Sequence, residues 1–261
     1  MPLPSTKLGD LMVTRLVVGG NPVSGFSHGA RDKEMRDYFT TENTKKLLAR
    51  CEAAGINTCF FRADKHVMRL LTEYWNDGGT IQWVAQSAPE IEVVRNVDAV
   101  AAYGAKAIYI HGGLVDSCFE SGDFDPAKRQ LDRIHEHGIA AGCASHNPRN
   151  ILKLLEMGWD IDFFMVCLYH LEGYRGKLSV SQDEKFNDAD RAKALAIFKQ
   201  IEQPCFAYKI LAAGRKDPRE AFTEVCSKIK PIDGINVGIY PPDSPTIVED
   251  NVRLAEELLP R

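Results

Sequence analysis

The chain has 261 residues, of which 44% are hydrophobic and 26% charged, and its net charge is −4. A chain of that length buries about three quarters of its unfolded surface, so one full-sized core forms without disulfide or metal staples. The mild acidity excludes a general nucleic-acid or anionic-membrane binder, whose surface must be basic; seven cysteines with no C-x-x-C pair exclude a disulfide framework. The thiols read as reduced and buried, which places the chain in the cytoplasm. The opening MPLPSTKLGD carries no apolar signal region, and no run of 18 apolar residues occurs.

In chain order, polar segments of helical period end at Gly, and short apolar runs rich in β-branched and aromatic residues follow at once. KKLLARCEAAG leads to INTCFF, NVDAVAAYG to AKAIYIH, QLDRIHEHG to IAAGCAS, and NILKLLEMG to DIDFFMVCLY. Gly just past a helix supplies the left-handed closing residue. Asp125-Pro126 and Asn147-Pro148 place a capping side chain before a Pro at the first helical position. The apolar runs give eight predicted strands, at roughly 15–20, 56–61, 81–86, 106–111, 139–144, 161–168, 205–210 and 234–239. They are apolar on both faces, as parallel strands under helices must be.

Eight strand–helix units across residues 1–261 predict one domain, an α/β fold of the single (β/α)8 TIM barrel type. The open doubly wound sheet is the rival, but Gly19-Gly20-Asn21-Pro22 does not fit its G-x-G-x-x-G fingerprint. Two long loops, 21–40 and 169–188, fall on the face where barrels place their sites.

KLGDLMVTRLVVGGNP at the start, GIN at 55–57, IYIH ending at His111, CASHNP at 143–148 and VGIYPPDSPTIVEDNVRLAEE near the end resemble the aldo-keto reductases. The resemblance implies the same barrel. The catalytic Asp, Tyr, Lys and His of that family are matched here only at the His, by His111. The Asp position falls near Phe60 or Phe61, the Tyr position near His66, and the Lys position at Gln86. The Ser-Asn pair that holds the nicotinamide carboxamide reads Ser145-His146, and Asp243 stands where basic residues hold the adenosine phosphate. Ser145 is thus the cofactor-binding candidate for NADPH, and the replacements disfavour that cofactor: the chain resembles a divergent member with a changed catalytic set.

On the catalytic face the strand ends carry Asn21; Arg62, Asp64 and His66; Gln86 and Glu90; His111; Ser145 and His146; Cys167, Tyr169 and His170; Lys209; and Tyr240. His111, His146 and His170 come from consecutive strands, so their imidazoles form a candidate site for a divalent transition metal such as Zn, Mn or Fe. Each has an alternative as a residue capping a loop carbonyl. Lys209, His66 and Asp64 are the catalytic candidates. Lys209 serves as base or Schiff-base nucleophile, or as a rim lysine bound to Asp243 or Glu90. Arg62, Gln86, Tyr169 and Asn21 are the substrate-binding candidates, Arg62 either forking onto a carboxylate or phosphate or pairing with Asp64. Gly112-Gly113 reads as a tight turn, and Arg215 as a surface residue ahead of a phosphate ligand. Tyr169, Tyr174, Tyr208 and Phe26 are wall candidates, while His135 and His137 belong to a helix end.

Three functions stay open. The first is metal-assisted proton transfer, isomerisation, lyase or hydrolysis chemistry on a small hydroxy-carbonyl or sugar-like substrate. The second is an NAD(P)H-dependent oxidoreductase with His111 as proton donor, and the third a non-catalytic binding barrel. A small molecule is the expected partner, with neither nucleic acid nor membrane.

Overall fold

Runs that are apolar on both faces become strands buried on both faces: all five residues of Phe163–Cys167 are buried, as are all four of Leu16–Gly19 and of Ala107–Ile110. A computed structural model describes residues 2–27, 30–169 and 186–261. It begins with an antiparallel pair, β1 (Ser5–Leu8) and β2 (Leu11–Thr14). Eight parallel strands follow: β3 (Leu16–Gly19), β4 (Thr58–Arg62), β5 (Gln82–Gln86), β6 (Ala107–Ile110), β7 (Ala140–Ser145), β8 (Phe163–Cys167), β9 (Cys205–Tyr208) and β10 (Gly234–Gly238). They pair in sequence order, and β10 returns to β3, so the sheet closes into a (β/α)8 barrel. All eight predicted strands form, each trimmed or shifted by a few residues.

The described helices are α1 (Asp32–Tyr38), α2 (Thr41–Ala53), α3 (Lys65–Asn76), α4 (Val93–Ala102), α5 (Gly112–Ser121), α6 (Asp125–Glu136), α7 (Pro148–Glu156), α8 (Asp188–Ile197), α9 (Pro218–Cys226) and α10 (Ile247–Leu258). None is long and apolar enough to cross a membrane. The Gly stops predicted after α2, α4, α6 and α7 hold, because Gly55, Gly104, Gly138 and Gly158 all take positive φ. Asn147 caps α7 as expected, accepting from the Arg149 N–H at 3.1 Å. Asp125 does not cap α6; it is the first helical residue, where its charge suits the helix dipole, and Phe124 takes the cap position.

Besides α1, which falls inside the loop expected at 21–40, two elements were not predicted. The β1–β2 hairpin crosses the N-terminal ends of the strands, where Asn57 accepts from Thr14 N–H at 2.8 Å and Gln82 donates to the Met12 carbonyl at 2.9 Å. Leu8 and Val13 from this hairpin join Val17, Phe60, Val84, Tyr109, Phe163, Met165 and Phe206 in the barrel interior. The lower end is therefore sealed by apolar side chains. The second is α5, which begins directly at Gly112, so Gly112-Gly113 opens a helix and is not a tight turn.

Candidate functional site

Period-two alternation aims every second residue of a barrel strand inward. Arg62, Gln86 and Tyr208 end their strands on that inner register, with Tyr109, Met165 and Asn236 a step below. They line a cavity of about 320 Å3 together with Asn21, Phe26, Lys209 and Tyr240. A second space of about 250 Å3 is lined by His111, Gly112 and His146, and shares Asn21, Phe26, Arg62, Gln86, Tyr208 and Lys209 with the first. The Phe60 ring, 5.0 Å from that of Phe206 and 6.0 Å from that of Tyr109, belongs to the aromatic floor.

The best-organised group centres on Asp116, a residue absent from the predicted set. It lies in α5 and is wholly buried. Its Oδ2 is 2.8 Å from His146 Nδ1, while its Oδ1 accepts from Ser145 Oγ at 2.5 Å and from the His146 backbone N–H at 3.2 Å. A buried carboxylate beside Nδ1 places the ring proton there and leaves Nε2 as the basic nitrogen. The His146 ring lies 6.3 Å from that of His111 and 6.4 Å from that of Tyr208. Gly112 permits this arrangement: a Cβ there would stand 3.3 Å from the His146 ring.

His111 is held differently. It caps α5, and its Nδ1 accepts the Gly113 N–H at 2.9 Å. The ring proton of neutral His111 then sits on Nε2, making it a hydrogen-bond donor. This bears on the metal expectation. His146 suits ligation, since a carboxylate on the second ring nitrogen orients many ligating histidines. His111 does not, because one nitrogen is engaged by the backbone and the other carries the proton. His170, the third expected ligand, falls outside the described residues, as does Tyr174. Among the described residues no group of three His, Cys, Asp or Glu side chains is placed to hold a metal ion.

The NADPH expectation meets a similar obstacle. Ser145 is wholly buried and its hydroxyl is given to Asp116, so it does not present itself as a carboxamide ligand. Asp243 is paired with Arg31 at 2.9 Å.

Of the catalytic candidates, Lys209 reaches the site. It lines both spaces with its Nζ 5.7 Å from the Tyr208 ring centre. Its expected carboxylate partners are taken by arginines, Asp243 by Arg31 and Glu90 by Arg62. Asp64 turns away to cap α3, accepting from Val67 N–H at 2.9 Å, and His66 is exposed on that helix, outside the lining of either space. Arg62, Gln86 and Asn21 stand on the wall as predicted. Arg62 is tied chiefly to Glu90, with Asp64 farther off at 3.8 Å. Tyr169 faces away from the cavity: it is buried against Phe186 and bonded to Arg191 at 3.3 Å, because the chain has left the inward register after β8. Phe26 and Tyr208 are wall residues, and Arg215 is exposed, as expected, while also bordering the cavity.

Backbone strain marks the same region. Lys209, Ala212 and Ala213 have φ of 62°, 49° and 56°, in the left-handed region that costs a non-glycine residue about 1 kcal/mol or more. Arg191, wholly buried on α8, holds the segment by donating to the Ile210 carbonyl at 2.7 Å and pairing with Glu224 at 2.5 Å. Burial, with nearby Cys167 and Asp116, pushes the Tyr208 phenol well above its usual range, so it stays protonated. Burial likewise raises the Cys167 thiol above its usual range.

No family model matches the chain, and no curated protein matches it. Solved structures do. A Pseudomonas aeruginosa protein assigned to the aldo-keto reductases, PA4992, superposes with a TM-score of 0.65 at 17% identity, over 97% of this chain and 95% of that one. A truncated 3-deoxy-D-arabino-heptulosonate 7-phosphate synthase from Thermotoga maritima gives 0.60 at 12% identity, over 98% and 90%. Dihydropteroate synthase from Yersinia pestis gives 0.53 at 10% identity, over 97% and 96%. Such identities show a shared barrel and no particular chemistry.

Proposed function

We propose that this barrel is an enzyme that moves a proton on a small hydroxy-carbonyl or sugar-like substrate. The observation that carries this reading is the buried Asp116 behind His146 at the mouth of the barrel. His146 Nε2 takes the proton from carbon or hydroxyl, and the Asp116 carboxylate stabilises the imidazolium that results. His111, with its proton on Nε2, donates to the substrate oxygen as negative charge develops there. Arg62 and Lys209 add positive potential at the same face. No step runs through a metal or a nicotinamide, because His111 Nδ1 and the hydroxyl of Ser145 are committed elsewhere. The varied names of the structural neighbours, reductase and synthases alike, support an enzymatic barrel without selecting its reaction.

The test is carbon-bound hydrogen exchange in D2O, followed by NMR, with dihydroxyacetone, dihydroxyacetone phosphate, glyceraldehyde and erythrulose. Wild-type protein exchanges at least one of them, and His146→Gln lowers the rate by on the order of 10²–10⁴. Equal rates for the two proteins on every compound overturn the reading. Saturable NADPH binding together with oxidation by these carbonyls would install the reductase in its place.

A further inference from the structure

A second residue of the cavity carries an expense that the proton-transfer group does not explain. Asn236 lies mid-strand on β10, opposite Val17 of β3 and Tyr208 of β9, and lines the main cavity. Its Oδ1 is buried without a hydrogen-bond partner among the described residues. That oxygen is turned toward β3, where it occupies the room a side chain at Gly19 would need: a Cβ there would stand 2.5 Å from it. The amide nitrogen is the half left to the cavity.

A buried polar atom with no partner destabilises a fold, and an apolar side chain of similar size removes that cost. Nothing in the barrel's packing requires an amide here: Val17 and Tyr208 flank it on the adjoining strands, and neither gives its oxygen a hydrogen bond. An amide at such a position gains only from what enters the cavity. The geometry points to Asn236 as a substrate-recognition residue, its amide N–H donating to a neutral hydroxyl or carbonyl oxygen at the end of the ligand remote from His146. A neutral oxygen fits because the side chains flanking Asn236 on the adjoining strands, Val17 and the Tyr208 phenol, are uncharged and offer no counter-ion to a desolvated charge. β10 is three strands around the barrel from β7, which His146 follows, so a ligand touching both residues carries oxygen at two separated positions. The substrate class rests on the hydroxy-carbonyl reading above, whereas the recognition role does not depend on proton transfer.

The experiment measures binding of erythrulose and its 4-deoxy analogue by NMR titration to wild type, Asn236→Ala and His146→Gln, with melting temperatures for all three. Wild type binds erythrulose about tenfold or more tighter than the analogue. Asn236→Ala binds both with the weaker affinity and melts no lower than wild type, as expected when an orphaned polar atom is removed. His146→Gln keeps the discrimination. If wild type treats the two compounds alike, including by binding neither, the inference is overturned. It is equally overturned if Asn236→Ala lowers the melting temperature and leaves discrimination intact, because the residue would then be structural. Retained discrimination with no hydrogen exchange would sink the proton-transfer reading alone.

Discussion

Asp116 Oδ2 stands 2.8 Å from His146 Nδ1, joining a residue of α5 to the one that follows β7. The carboxylate is wholly buried and also receives Ser145 Oγ and the His146 backbone N–H, so it fixes ring and loop together. Asp116→Asn keeps the shape and removes the charge that stabilises the imidazolium. Hydrogen exchange on the responsive substrate should fall by on the order of 10²–10⁴ while the fold persists. Asp116→Ala should cost about 3 kcal/mol in urea unfolding, since it strands several buried donors. A fully active Asp116→Asn protein would dismiss this pair as chemistry.

His111 has two separable duties. Its Nδ1 caps α5, and under the proposed function its Nε2 proton serves the substrate oxygen. Asn is an excellent cap, so His111→Asn should melt near wild type, whereas His111→Ala should lose about 1 kcal/mol. Both should lose hydrogen-exchange activity. If the two variants are equally unstable, the cap is not what His111 contributes to the fold.

Gly19 and Asn236 compete for the same volume. Gly19→Ala should destabilise by about 1–3 kcal/mol through overpacking. Adding Asn236→Ala should restore part of that loss, with a coupling of about 0.5 kcal/mol or more. Strictly additive unfolding energies would refute the contact.

The seven cysteines are all buried and free. Burial, the leading cause at each, raises every thiol: Cys51 and Cys226 to about 12, Cys59 well above its usual value, and Cys118, Cys143, Cys167 and Cys205 upward too. Above about pH 9 the unfolded chain releases thiol protons that the folded chain keeps. The unfolded state then binds fewer protons, so stability is full below that pH and declines as pH rises toward the folded values. Each thiol adds a slope of up to about 1.4 kcal/mol per pH unit. Urea midpoints at pH 7.5, 9 and 10 should fall progressively, and constant midpoints would contradict the burial of these thiols.

The barrel was legible because the strands lie in short, largely apolar runs and α2, α4, α6 and α7 stop at a Gly; INTCFF after Gly55 and AKAIYIH after Gly104 needed no tertiary information. The hairpin was missed because its strands are four residues each, too short to show a run, although Gly9-Asp10 between Leu8 and Leu11 is a hairpin-turn signal. Asp116 was missed for a different reason. GGLVDSC reads as a loop because two glycines weaken the helix, and an Asp in a loop reads as solvated. Only the approach of α5 to β7 puts it behind His146. His66 and Asp64 looked catalytic because they follow a strand, but a helix starting at Lys65 takes one as its cap and turns the other to solvent. Asn236 was signalled weakly, as a lone polar residue on the inward register of INV.

The β1–β2 hairpin has a consequence for traffic. With Leu8 and Val13 plugging the lower end, the lumen is a cul-de-sac, and whatever arrives at His146 must leave by the doorway it used. On the proton-transfer proposal, released product and incoming reactant contend for one threshold, and product should inhibit by simple competition.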